Sequence, residues 1–421
     1  MFVAIGNTPR DYAWGSTTAI AEFRGTAAPG GPEAELWLGA HPGSPARVLD
    51  EASVGHADLA AWIAAAPERA LGAELAAHGA RLPFLLKLLA AAAPLSLQAH
   101  PTPEQARAGF AREEADGVPI TAYDRNYRDE FHKPEIVVAV SDTFDALSGF
   151  RPLEEVQGVL EVLRAADAAA PESDPGALDL LESRLSGVHA LRDTVEWLLR
   201  DGRGGDTGEA SWVIDRVTAL AASATALASP FARSFETVGA LAEAYPGDPG
   251  VVISLLLNRV RLVRGEGLYL AAGNIHAYLG GLGVELMAAS DNVLRGGLTP
   301  KHIDVTELID VLDFTPMPPP RLAPVEVSPG VTVFRPGVTD FVLYRVERAA
   351  EAVGSAQVAL DGPAIVLVEG DRVSIGGGTG ASASLSRGES AYITPDEHVL
   401  EITGDGIAWI ATTGSAATVA V

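Results

Sequence analysis

Four residues of this chain have side chains and spacing suited to holding a metal ion. Gln98 and His100 lie two apart in LSLQAHP, Glu135 opens the apolar run EIVVAV after HKP, and His276 stands in GNIHAYL. Leu95 and Leu97 alternate with Ser96 and Gln98, the period of a strand with one apolar face. Residues two apart on a strand share a face, so Ser96, Gln98 and His100 would point the same way. Glu135 heads an otherwise apolar strand, where a carboxylate needs a cation or metal partner. His276 and Tyr278 repeat the two-apart spacing. Together Gln98, His100, Glu135 and His276 make an N/O set suited to Zn2+, with room for water or substrate. Each residue alone also fits a plainer role, such as a core histidine bonded to a carbonyl or a solvated outer strand face. His132 shares the strand-like setting of His100 and His276. His78 and His189 sit in helical or loop settings and are expected to be exposed or satisfied.

A second group lies in VELMAASDNVLRGGLTPKH. Glu285 sits in an apolar strand, and Asp291, Asn292, Arg295 and Lys301 follow in a glycine-broken loop. A carboxylate with arginine and lysine nearby suits sugar-phosphate chemistry: one group moves a proton, and a cation stabilises an enediolate or holds phosphate. A surface loop with incidental charges would read the same way. The lysine count bears on the choice. Of 30 basic residues only Lys87, Lys133 and Lys301 are lysines. Arginine replaces lysine freely on a solvated surface, but not where a compact ammonium is needed.

Composition limits the partners. The net charge is −25, which argues against nucleic acid, since that binding needs clustered Lys and Arg. An anionic small molecule remains compatible if a few cations are focused in one cleft. No cysteine is present, so disulfides and thiolate metal sites are excluded. The apolar segments are broken by Arg, Asp, Glu or Gly, so no membrane span is expected. The start lacks a basic region followed by a long apolar run, so no signal peptide is expected, and the location expected is cytoplasmic.

These residues must be positioned by strands. Residues 1–150 read mostly as short strands and turns, with one helical patch at ADLAAWIAAAPERALGAELAAHG. PFLLKLLAAA fits a buried helix or strand equally. From about Leu153 to residue 246 apolar residues recur at helical spacing, predicting an insert of four to six helices, with DGRGGDTGEAS its most loop-like piece. Strand texture resumes near residue 250. TPMPPPRLAP reads as a linker, and the last hundred residues as a small closed antiparallel barrel or sandwich. The fold class expected is mainly β with an α-helical insert.

At this level of detail the chain resembles the type I phosphomannose isomerase family. The resemblance rests on DYAWGS, AELWLGAHPGSPA, LSLQAHP, HKPE, GNIHAYL and SDNVLRGGLTPKHID, and covers roughly residues 1–150 and 250–421. It implies two cupin-type jelly-roll barrels plus a helical domain. The boundaries implied are 1–151 with 247–318 for a catalytic barrel, 152–246 for the insert and 319–421 for a second barrel without a site of its own. It implies one Zn2+ per chain on Gln98, His100, Glu135 and His276, and a monomer acting on a small sugar phosphate. It places the family's catalytic arginine on Arg295. Lys133, Glu285, Tyr278 and Lys301 would line the same pocket, with Trp14, Glu35, Ser96 and Lys87 at or near it. Asp291 falls with the substrate-binding group.

The activity implied is interconversion of mannose 6-phosphate and fructose 6-phosphate through a cis-enediol, with Glu285 as base and Lys133 as its rival. Two other readings compete: a metal- or sugar-binding cupin without turnover, which predicts a degraded pocket, and an isomerase for a related sugar. An iron-dependent dioxygenase is disfavoured, because the first ligand pair is Gln and His.

Overall fold

The structure, a computed structural model, describes residues 1–202 and 208–414. Residues 203–207 of the predicted loop DGRGGDTGEAS lie outside the described residues. The chain is mainly β-sheet with helices. Two large antiparallel sheets carry the strands, and the helices between Leu153 and Ile253 form one block.

PFLLKLLAAA becomes the strand Phe84–Ala91, and all eight of its residues are buried. Burial on both faces removes the alternation that separates strand from helix in sequence. This strand pairs with Glu35–Leu38 on one side and His276–Ala288 on the other. His276–Ala288 is the spine of the sheet. Its first residues pair with Leu97–Ala99 and Thr143–Phe150, and its later ones with Phe84–Ala91 and Glu135–Ala139. The change of partners falls at Gly280–Gly281, beside an irregularity in register. Gly281 has φ +117°, and a Cβ there would lie 2.7 Å from the Thr143 carbonyl oxygen, so only glycine fits this bend.

Alternation along these strands sorts the side chains. Leu97, Ala99, Ile275, Ala277 and Leu294 pack against the helices, in one cluster with Leu163, Leu198 and Val217. Gln98, His276 and Arg295 therefore turn to the opposite face. On the other half of the sheet, Leu36, Leu86, Leu88, Val284 and Leu286 pack against Phe341, Ile365, Leu367 and Trp409 of the second sheet. Lys87, Glu285, Glu35 and Glu135 turn the other way, into the interior. The helical block and the second sheet thus each cover the back of a strand row whose front carries polar groups.

The second sheet contains the strands from Val325 to Thr412 and encloses its own apolar core. Phe2–Gly6 and Arg47–Val48 belong to it as well, because Phe2–Gly6 pairs with Ser390–Ile393. The N-terminal strand therefore reaches across to the sheet of the last hundred residues. Among the described residues the strands of neither sheet close into a ring, so of the barrel and the sandwich that the pattern allowed, the pairing shows no closed barrel. The proline-rich linker is not wholly irregular: Arg321–Leu322 pairs with Gly267–Leu268. No helix is long and apolar enough to cross a membrane among the described residues.

Candidate active site and metal centre

The LSLQAHP strand is short, Leu97–Ala99, and His100 lies just beyond it. It ends there because Thr102 caps the helix Pro103–Ala115. Thr102 Oγ1 accepts from the Gln105 amide at 3.2 Å, and Gln105 Oε1 accepts from the Thr102 amide at 2.9 Å. Gln98 is the cross-strand partner of both His276 and Arg295, which sets the three in one row. Glu135 arrives from the facing half, as the first residue of Glu135–Ala139.

His100, Glu135 and His276 come together with their ligand atoms within 4.8 Å of one another. His100 Nε2 lies 3.4 Å from Glu135 Oε1, and His276 Nε2 lies 3.5 Å from Glu135 Oε2. Gln98 Nε2 is 3.2 Å from His276 Nε2, and a half-turn of the amide brings its oxygen to the same place. Both imidazoles have their tautomer set from behind. His100 Nδ1 donates to the Asn292 carbonyl at 2.8 Å, and His276 Nδ1 to the Asn274 carbonyl at 3.0 Å. Each Nε2 lone pair is left facing inward, the arrangement a metal-ligating histidine needs.

The donor set fits a metal ion. His100 Nε2 and Glu135 Oε2 are buried without a hydrogen-bond partner, a costly state for acceptors that a cation would relieve. Burial pushes the His100 imidazolium down to about 4, against the pull of Glu135, so the ring is a neutral ligand at neutral pH. Burial alone would raise Glu135, but Lys133 and His100 outweigh it and hold the carboxyl well below its ordinary value. Two imidazoles, a carboxylate and an amide oxygen suit zinc.

Beside this set lies a buried ionic cluster. Lys133 Nζ is 3.1 Å from Glu135 Oε1. Lys87 Nζ is 2.9 Å from Glu285 Oε2 and 3.6 Å from Glu35 Oε1. Tyr278 Oη donates to Glu285 Oε1 at 2.8 Å, and Trp37 Nε1 donates to Glu35 Oε2 at 3.0 Å. Burial raises the Glu285 carboxyl above its ordinary value; Lys87 opposes the shift, and Glu135 and Glu35 add to it. Burial works against the Lys87 ammonium, but Glu285 and Glu35 overcome it and raise the lysine.

Arg295 is half-buried, and its side chain makes no hydrogen bond or ion pair among the described residues. Burial and the like charge of Arg128 push it down, and burial with Arg295 and Arg128 does the same to Lys301. Arg128, Arg295 and Lys301 thus lie near enough to repel one another, and among the described residues none of the three is held in an ion pair, a natural seat for an anion. Asp291 is placed differently. Its carboxylate lies 3.4 Å from His41 Nε2, at a cavity of about 270 Å³ that Arg81, Arg128 and Asp129 also line. Trp14 is half-buried, stacks on Tyr12 and packs against the cluster that contains Tyr278. Ser96 is half-buried just ahead of the Gln98 strand. His132 is not in the metal group and pairs with Asp340 at 2.8 Å.

Residues 2–153 match the family model described as phosphomannose isomerase type I, catalytic domain. The chain is 36% identical over 410 residues to mannose-6-phosphate isomerase of Salmonella typhimurium, covering 95% of this chain and 96% of that one. It is 31% identical over 412 residues to the Homo sapiens enzyme of the same name, covering 93% and 92%. The chain belongs to the type I phosphomannose isomerase family. Its fold agrees with solved structures of such isomerases. One, from Salmonella typhimurium and described as bound to substrate and a zinc atom, superposes with a TM-score of 0.84 at 33% identity, covering 98% of this chain and 100% of that one. Another, described as bound with zinc and yttrium, also gives 0.84 at 33% identity, with the same coverage.

Three residues of this phosphomannose isomerase site carried no role in the sequence reading: His41, Arg128 and Asn292. His41 is buried in AHPGSP, where its turn-like setting hides its neighbour Asp291. Arg128 is one of many arginines. Asn292 was named with its loop, but its side chain bonds Arg128, Asp129 and Phe131, far off in sequence, so spacing carried no signal.

Proposed function

We propose that this chain is a zinc-dependent aldose–ketose isomerase that interconverts mannose 6-phosphate and fructose 6-phosphate through a cis-enediol. One observation carries the reading. His100, Glu135 and His276 converge, with Gln98 beside them, next to a buried Glu285 and an unpaired Arg295. A redox or purely structural metal site has no use for that carboxylate and that free cation.

Gln98, His100, Glu135 and His276 would hold the ion, which supplies Lewis acidity toward the substrate's oxygens. Glu285 takes the proton from C2 of the open-chain aldose and returns it at C1. Its raised pKa suits a base that must also give the proton back. Lys133 is the rival for this role, but its ammonium is engaged by Glu135, which favours its acting as a cation. Lys87 and Tyr278 orient Glu285 by holding one oxygen each. Arg295 stabilises the charge that develops on the enediolate oxygen. Lys301, with Arg128 and Arg295 near it, holds the phosphate, whose binding energy is spent on positioning the distant carbons. Trp14 and Ser96 line the rim of the sugar pocket, and Asp291 reaches the substrate side only through the cavity that it shares with His41 and Arg128.

In architecture, each sheet corresponds to a cupin-type jelly roll and the helical block is the insert between strands of the first, with the boundaries set out above crossed by Phe2–Gly6 and Arg47–Val48, which join the second sheet, and by Arg321–Leu322, which joins the first. The oligomeric state proposed is the monomer that the family resemblance implies. A sugar phosphate substrate supports a cytoplasmic setting.

Turnover in deuterated water tests the proton-transfer step. Mannose 6-phosphate formed from fructose 6-phosphate should carry deuterium at C2. Product formed with no solvent deuterium at any extent of conversion would point to hydride transfer instead.

A further inference from the structure

We propose that Asn292 is a positioning residue that couples the metal centre to the loop carrying Arg128 and Lys133. The inference rests on the isomerase reading and deepens it. Asn292 is 0% exposed, and all its polar atoms are engaged. Its carbonyl accepts from His100 Nδ1 at 2.8 Å. Its Oδ1 accepts from the backbone amides of Arg128 at 2.7 Å and Asp129 at 3.3 Å. Its Nδ2 donates to the carbonyls of Asp129 at 2.7 Å and Phe131 at 2.9 Å, and to Asp129 Oδ1 at 3.2 Å. Its own amide donates to Ser290 Oγ at 3.2 Å.

Asp129 closes the network from the other side. Its carboxylate accepts from Ser290 Oγ, the Asp291 amide and the Phe131 amide at 2.8, 2.8 and 3.0 Å. Residues 128–131 are thereby fastened to 290–292. Two residues beyond Phe131 comes Lys133, against Glu135. Three beyond Asn292 comes Arg295, paired across strands with Gln98. One residue thus holds the ring of a ligand histidine with its backbone carbonyl, and with its side chain the loop that brings two cations. An amide is suited to the task because it alone offers an acceptor and two donors in one plane. A fully satisfied buried network of this kind fixes a single geometry.

Asn292→Ala leaves the carbonyl that holds His100 but frees it to move, and releases the loop. Asn292→Asp keeps the acceptors, loses the donors and sets a charge against Asp129. Zinc affinity of the full-length protein is measured by competition with a chromophoric chelator. In parallel, kcat and KM for fructose 6-phosphate are measured with zinc saturating. The expected result is zinc binding weaker by about 10–100-fold, with kcat/KM still depressed at least about tenfold when zinc is restored. Zinc affinity within about twofold of the parent overturns the inference, whatever happens to Tm. Loss of one readout without the other overturns it too, because the claim is that one residue serves both. If Asn292→Ala does not fold, Asn292→Asp and Ser290→Ala carry the same test. The zinc readout stands apart from activity, so an inactive parent protein would count against the isomerase reading and leave this test intact.

Discussion

Lys87 and Glu285 face each other across antiparallel strands, register partners whose Nζ and Oε2 lie 2.9 Å apart in the interior of the sheet. Glu35 lies 3.6 Å from the same ammonium, so one buried cation serves two buried carboxylates. Removing a single partner from such a group is far costlier than the pair is stabilising, since it leaves a charge without compensation. Lys87→Met should therefore destabilise the metal-free protein by about 3–5 kcal/mol near neutral pH. The sign of the pH dependence follows from Glu285. Its folded pKa lies above the ordinary 4.5 and rises further without Lys87. A carboxyl raised in the folded state contributes stability below its unfolded pKa and loses it as pH rises through the folded one. The deficit of the variant should shrink as pH falls towards 5. Urea unfolding of both chelated proteins at neutral pH and near pH 5 checks this; a deficit that is constant or grows in acid would contradict it.

The roles of Glu285 and Lys133 are separable by substitution. Glu285→Gln keeps the shape and the bond from Tyr278 but removes the base, and should lower kcat by about 10²–10⁴. Lys133→Met, assayed with zinc saturating, should fall by less. Loss of turnover in Lys133→Met with near-normal rates in Glu285→Gln would make the lysine the base.

Among the described residues the Arg295 guanidinium has no hydrogen-bond or ion-pair partner, which leaves its charge for the transition state. Arg295→Ala should lower kcat by about 10²–10³ with a smaller change in KM. A change confined to KM would make it a ground-state binding group.

Gln98 and His276 are neighbours on paired strands, and each should be needed for zinc. After dialysis His276→Ala and Gln98→Ala should hold less than stoichiometric zinc by elemental analysis, while the parent protein holds one per chain. Full retention in either variant would remove that residue from the ligand set.

Much of this site was legible because it is built from strands. Spacing of two, read in LSLQAHP and GNIHAYL, predicts a shared face, and the structure places Gln98, His276 and Arg295 in one cross-strand row. Two of the three lysines, Lys87 and Lys133, are buried in ion pairs, as a composition that otherwise prefers arginine suggests. What alternation cannot carry is the choice of partner. His132 looked like His100 in its local setting, yet Asp340, distant in sequence, takes it. Phe2–Gly6 reads as a strand, but nothing local says that it pairs with Ser390–Ile393. PFLLKLLAAA hid its class because both of its faces are buried, and Asn292 hid its role because its contacts come from a loop on the far side of the site.

Conversion of fructose 6-phosphate to mannose 6-phosphate, followed before chelation, after it and with zinc restored, tests the central claim most directly. The account predicts turnover that is lost on chelation and returns with zinc. A folded, zinc-loaded protein that leaves fructose 6-phosphate unchanged would contradict it.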